Sequence, residues 1–217
     1  MLKRSLLVAV IYLVSSTALA KSNINIGHYY VDAPKKSYQF SSLSFKHKQK
    51  SWVTKISIPY IQTNNGEAGL GNIALKLSHK WRRKHYMLRT HFKQKIASAN
   101  SKVVTPVTDK AFSLELNYGF SWGMGFIESG HWWREDKFYE RENSWFGSIG
   151  IMKPFKPYTL AFIVDHKPTA LGKVDSMASV LIQEPLSPSY SASLLFATGL
   201  SSDSPNVMLG LQLSHKI

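Results

Sequence analysis

No cysteine occurs in this chain of 217 residues, so disulfides, thiol redox chemistry and Cys-based metal sites are excluded from the start. Acidic residues are scarce: 13 Asp and Glu stand against 27 Lys and Arg, for a formal charge of +14. An excess of that size points to an anionic partner, whether nucleic acid, an anionic membrane surface or an anionic solute. Long apolar runs are missing too. Nothing after the first twenty residues approaches the run of about eighteen apolar residues that marks a spanning helix, so a helical membrane protein is excluded.

At the start of the chain, Lys3 and Arg4 precede an apolar run from Leu6 to Val14, and Ala18-Leu19-Ala20 offers a small-x-small cleavage site. This is the pattern of a secretory signal peptide, with residues 1–20 as the leader and residues 21–217 as the mature chain. Without Lys3 and Arg4 the charge of +14 becomes +12. Export and the lack of any nucleic-acid-binding module argue against nucleic acid as partner. Outer-membrane lipid, lipopolysaccharide phosphates and small anionic solutes remain.

What the chain does contain is a period of two. In Phe112–Trp122, FSLELNYGFSW, the apolar Phe112, Leu114, Leu116, Tyr118, Phe120 and Trp122 alternate with small or polar residues. That is the side-chain period of a β-strand, and a strand crossing a bilayer at a tilt needs about 9 to 11 residues. The same reading along the chain gives twelve candidate strands: Asn23–Asp32, Tyr38–Lys48, Trp52–Ile61, Leu70–Arg82, His85–Lys95, Ala111–Trp122, Gly125–Arg134, Ser144–Lys153, Tyr158–Lys167, Met177–Gln183, Tyr190–Gly199 and Val207–Ile217. Tyr38–Lys48 and Met177–Gln183 alternate poorly, and Gly125–Arg134 is bulky on both faces, so ten strands is the alternative count. The expected fold is all-β, a transmembrane antiparallel up-and-down β-barrel, because backbone polar groups in hydrocarbon must be satisfied by neighbouring strands. Short connections after even-numbered strands and mostly longer ones after odd-numbered strands, Ala33 to Ser37 being the short exception, match periplasmic turns and extracellular loops. The structural competitor is a soluble lipocalin-like barrel with its apolar face turned inward.

In this topology the outward aromatics form two girdles. One comprises Trp52, Trp81, Tyr86, Trp122, Tyr158 and Tyr190; the other comprises Tyr30, Tyr38, Tyr60, Phe112, Trp133 and Trp145. The alternate face collects charge: Lys55, Lys76, Lys80, Arg89, His91, Lys93, Glu115, Glu128, Arg134, Asp165 and Lys167. Two expectations compete for these side chains. They line a narrow channel that favours anions, or they pair off and plug the barrel. Eight histidines are scattered without HxH or HExxH spacing, so neither a metal site nor a cofactor is expected. No GxSxG element is present. An outward serine beside His79 or His131 leaves a membrane-embedded lipid hydrolase as a minor alternative.

Ile58-Pro59-Tyr60, Gly69-Leu70-Gly71-Asn72-Ile73 and the later Asp109–Tyr118, DKAFSLELNY, resemble signatures of the outer-membrane transporter family grouped with the meta-pathway of phenol degradation. Asn72 stands where that family usually has Asp. The resemblance implies a barrel with a transport role. At the other end, Val207, Leu209, Leu211 and Leu213 alternate up to Ile217, which resembles the terminal signal read by the barrel-assembly machinery. The functional expectation is a narrow outer-membrane channel or transporter for small, anionic solutes. A non-conducting structural or surface-interaction barrel is the alternative.

Overall fold

The computed structural model describes residues 21–34, 37–99, 104, 106–135, 142–168 and 174–217. The leader expected at residues 1–20 lies outside the described residues, as does most of the tip between β8 and β9. The strands are β1 (Lys21–Asp32), β2 (Tyr38–Gln49), β3 (Trp52–Thr63), β4 (Ala68–Leu70), β5 (Ile73–Arg82), β6 (Tyr86–Ile96), β7 (Thr108–Gly119), β8 (Met124–Glu135), β9 (Ser144–Phe155), β10 (Tyr158–Pro168), β11 (Val174–Pro185), β12 (Tyr190–Gly199) and β13 (Val207–Lys216). All pairings are antiparallel between neighbours. Because β1 pairs with both β2 and β13, the sheet closes on itself: β4 is a three-residue addition, and the other twelve strands form the barrel. Closure leaves no open edge, which is the only way a sheet can sit in hydrocarbon.

The alternation of residues determines which side of the wall each meets. On β7, Ser113, Glu115 and Asn117 are 1%, 9% and 3% exposed, whereas Leu114 and Leu116 are 48% and 45% exposed. The barrel is inverted relative to a soluble protein: large Leu, Ile, Phe, Trp and Tyr side chains are exposed along its strands, and most of its buried side chains are Ser, Asn, His, Asp and Glu. So large an apolar exterior requires a covering of lipid. A lipocalin-like arrangement would place those residues inside, so that competitor is overturned.

Twelve barrel strands, not ten, are present, because both weak candidates pair along their length. β2 pairs with β3 from Tyr38↔Thr63 to Gln49↔Trp52, and β11 with β12 from Met177↔Gly199 to Pro185↔Ser191. β2 alternates poorly in sequence because Phe40 points inward, where its ring stacks on Tyr29 at 4.5 Å. Tyr38 shares that inner face and contacts Phe40 at 6.4 Å, so it does not belong to the outer girdle expected for it. β8 is bulky on both faces because Trp132 packs inside, 5.9 Å from Phe146, while Trp133 is exposed outside.

Two of the strands read from the sequence do not run unbroken. Phe112–Trp122 is not one strand, since β7 runs from Thr108 to Gly119 and Phe120–Gly123 form a turn closed by Phe120 N–H donating to Gly123 O at 2.8 Å. Leu70–Arg82 is not one strand either. The register changes from Tyr60↔Leu70 to Ser57↔Ala74, which places one extra residue opposite β3 and makes a β-bulge at Gly71-Asn72. Pro59 faces the bulge and has no N–H to leave unpaired, while Gly71 N–H donates to Pro59 O at 2.9 Å. A Cβ on Gly71 would run into the Pro59 ring, so glycine is required there. Connections remain asymmetric: 50–51, 83–85, 120–123, 156–157 and 186–189 at the turn end, against 33–37, 64–67, 97–107, 136–143, 169–173 and 200–206 at the loop end.

Candidate functional site

Four consecutive barrel strands bring four lysines into line. Lys46 on β2 pairs in register with Lys55 on β3, Lys55 with Lys76 on β5, and Lys76 with Lys93 on β6. All four lie on the inner face, on the same parity as the buried Ser44, Ser78 and His91. Like charges set directly opposite on adjacent strands destabilise a sheet. Lys48 extends this basic wall on β2, and Lys80 and Arg89, themselves register partners, extend it on β5 and β6. Among the described residues, Lys46, Lys48, Lys55, Lys76 and Lys80 make no ion pair.

Beside the wall lies a cavity of about 390 Å³, lined by Lys46, Lys48, Lys55, Lys76, Lys80, Arg89 and His91, together with Asn25, Ser51, Val53, Ser78, His79 and Gln212. No carboxylate is among these residues. Positive charge concentrated in a partly enclosed, low-dielectric space raises the local concentration of anions.

The carboxylates stand on the next strands. Glu115 accepts from Arg89 Nη1 at 2.7 Å and Asn117 Nδ2 at 2.7 Å, and lies 3.0 Å from His91 Nε2. His91 is fixed from its other nitrogen by Ser78 Oγ at 2.8 Å. Glu128, the register partner of Glu115, accepts from Lys93 Nζ at 3.0 Å and Ser113 Oγ at 2.6 Å. The two acids therefore hold the β6 edge of the basic wall, and the wall's remaining lysines lie beyond them. Asp109, 1% exposed, meets Lys95 Nζ at 3.6 Å, and that ammonium sits 5.0 Å over the Trp132 ring.

The other charged candidates lie towards the loop end. Arg134 donates to Ser144 Oγ at 2.8 Å and Pro168 O at 2.8 Å, and also to Glu142 O, so it ties the rim of β8, β9 and β10 together. Asp165 accepts from Ser148 Oγ at 2.5 Å and pairs with Lys167 at 3.3 Å. Lys46, Lys48 and Asp109 are absent from the sequence-derived set. The signal for the first two is Lys46-x-Lys48, two lysines on one face of a strand.

At the turn end, Trp52, Trp81, Tyr86, Trp122, Tyr158 and Tyr190 are exposed, and at the loop end so are Tyr30, Tyr60, Phe112, Trp133 and Trp145. Histidines are set among these rings. His79 lies 4.5 Å from Trp52 and 4.2 Å from Trp81, His131 lies 4.8 Å from Trp133 and 5.0 Å from Trp145, and His215 lies 4.4 Å from Tyr190. His79 Nε2 also meets Ser51 Oγ at 3.1 Å, the contact a hydrolase dyad would need. Its Nδ1, however, is buried without a hydrogen-bond partner, so nothing orients that ring as a base.

The stretch resembling a transporter signature is the bulge itself. Ile58-Pro59-Tyr60 on β3 faces Gly69–Ile73, Ser98 Oγ donates to Gly71 O at 3.2 Å while accepting from Ile73 N–H at 2.9 Å, and Asn72 Oδ1 accepts from Val107 N–H at 3.1 Å. An oxygen acceptor is all that last bond requires, and Asn supplies it as Asp would.

No protein-family model and no curated protein sequence matches the chain. Solved structures do resemble it. A KdgM porin superposes with a TM-score of 0.68 at 11% identity, covering 89% of this chain and 98% of the porin. The same porin in complex with disordered oligogalacturonate gives 0.66 at 10%, again over 89% of this chain and 98% of that one. The COG4313 outer membrane channel from Pseudomonas putida F1 gives 0.72 at 10%, covering 94% of this chain and 98% of the channel. At these identities the likeness is one of fold, and the chain has the fold of outer-membrane channel barrels.

Proposed function

We propose that this protein is a narrow outer-membrane channel that favours small anionic solutes. The observation that carries the reading is the lysine ladder Lys46, Lys55, Lys76 and Lys93, lying beside a cavity that, among the described residues, no carboxylate lines. Such a ladder costs stability, and an anion passing along it would offset that cost. Lys80, Arg89 and Lys93 belong to the same wall, Glu115 and Glu128 bound it, and Arg134 and Asp165 shape its outer mouth. A KdgM porin of similar fold forms a complex with disordered oligogalacturonate, and this supports an anionic solute.

In the same reading, residues 1–20 are a cleaved leader, the short turns face the periplasm, and the barrel-assembly machinery inserts the strands. The exposed rings, Trp52, Tyr60, Trp81, Tyr86, Trp122, Trp133, Trp145, Tyr158 and Tyr190, form the girdles against lipid and lipopolysaccharide. A channel-barrel fold is compatible with the transporter-family resemblance, which rests on Ile58–Tyr60, Gly69–Ile73 and Asp109–Tyr118. Planar-bilayer recording under a potassium chloride gradient tests the function. The expected result is a reversal potential displaced towards that of chloride. A folded barrel that passes no current is a plug, and this outcome overturns the reading.

A further inference from the structure

The interior of the barrel is chemically two-sided. Further round the barrel from the lysine wall, on the strands that follow β2 in sheet order, a second cavity of about 200 Å³ is bounded by Leu181 on β11, Leu195 on β12, Tyr29 on β1 and Gly210 on β13, with Gln183 and Ser193 completing it. None of its lining residues is charged. Gln212 lines both cavities, and its side chain is held at the junction by Tyr29 Oη, which donates to Oε1 at 3.3 Å, and by Ser214 Oγ, which accepts from Nε2 at 3.3 Å. The basic and the uncharged spaces therefore meet at one amide.

Resting on the channel reading, we propose that the preferred solute is an amphiphilic monoanion, with a carboxylate-like head on the wall formed by Lys46, Lys55 and Lys76 and a short apolar body against Leu181 and Leu195. An inorganic anion satisfies the lysines and leaves the leucines facing water. A polyhydroxylated acid buries little apolar surface against those leucines and gains less from the contact than an alkyl chain does. A neutral apolar molecule leaves the lysines uncompensated. Only a solute with both ends matches both sides, and each methylene that leaves water strengthens its binding by up to about fourfold.

The test uses the purified barrel in planar bilayers. Chloride current is measured while acetate, butyrate, hexanoate, gluconate or 1-hexanol is added. Block should tighten several-fold from acetate to hexanoate, gluconate should block no better than acetate, and 1-hexanol should not block. Leu181→Asn with Leu195→Asn should abolish the dependence on chain length while leaving chloride selectivity in place, and Leu195→Ser is the milder variant should the pair fail the heat-dependent gel shift that reports folding. Lys55→Gln should weaken block by all the carboxylates alike. An anion-selective current blocked equally by acetate, hexanoate and gluconate overturns this inference and leaves the channel standing. If no current flows, the channel reading falls, and hexanoate titrated calorimetrically into nanodisc-embedded barrel decides the site separately. Binding lost in the double leucine variant sustains it, and binding equal in both proteins overturns it.

Discussion

Lys55 and Lys76 stand directly opposite each other on β3 and β5, both on the inner face, and neither makes an ion pair among the described residues. Cross-strand pairs are worth about 0.2 to 1 kcal/mol, and like charges carry the unfavourable sign. Lys76→Gln should therefore raise stability by up to about 1 kcal/mol and move the reversal potential towards zero. Both are read on one variant, by denaturant titration in detergent and by bilayer recording. A loss of stability with selectivity unchanged would contradict the role given to this pair.

Glu115 has the opposite character. It gathers Arg89, His91 and Asn117, and its replacement by Gln keeps an acceptor for one amide and loses the charge that compensates the cations. Removing one member of a buried charged hydrogen-bond network costs about 1 to 3 kcal/mol, moderated here because Arg89 remains partly exposed. Glu115→Gln should lower the temperature of the gel-shift transition and make the pore more anion-selective. Thermal melts and reversal potentials on the purified variant check both halves.

Tyr29 lies flat against the wall because Gly27 and Gly210 leave room for its ring, and a Cβ at either position would overlap it. Gly27→Ala should push that ring into the lumen together with Phe40, with which it stacks. Single-channel conductance should fall without a change in the sign of selectivity. Combining Gly27→Ala with Tyr29→Ala should restore it, and failure of that rescue would refute the steric explanation.

In the proposed channel, lysines that make no ion pair among the described residues are open to screening by salt. The Debye length shortens from about 10 Å at 0.1 M salt to about 3 Å at 1 M, so anion preference should be strong in dilute potassium chloride and weaken markedly in concentrated solution. Selectivity independent of salt would place the controlling charges in tight pairs instead.

Much of this is legible in the sequence, and what is not has definite causes. Twelve strands can be read because lipid on one side and polar groups on the other impose a strict period of two, and parity alone assigns Lys55, Lys76, Arg89, Lys93, Glu115 and Glu128 to a common face. Lys46 and Lys48 share that face but are hidden in a strand whose Phe40 breaks the pattern, because its inward ring is accommodated by Tyr29 and not by lipid. The bulge at Gly71-Asn72 is invisible in Leu70–Arg82 because it exists only in register with β3. The position of Gln212 between two cavities depends on closure of β13 against β1, a contact that joins the two ends of the barrel.

The inverted distribution of side chains also bears on how this barrel can change over generations. Its outward Leu, Ile and Phe residues meet fluid chains that have no shape to match, so one apolar residue there can replace another at little cost. Its inward Ser113, Glu115, Asn117 and Glu128 meet specific partners at fixed distances. Tolerance to substitution should therefore run in stripes along every strand, permissive at one residue and strict at the next. A barrel built this way can drift far in sequence while keeping its architecture, in keeping with solved channels that share its fold at 10 to 11% identity.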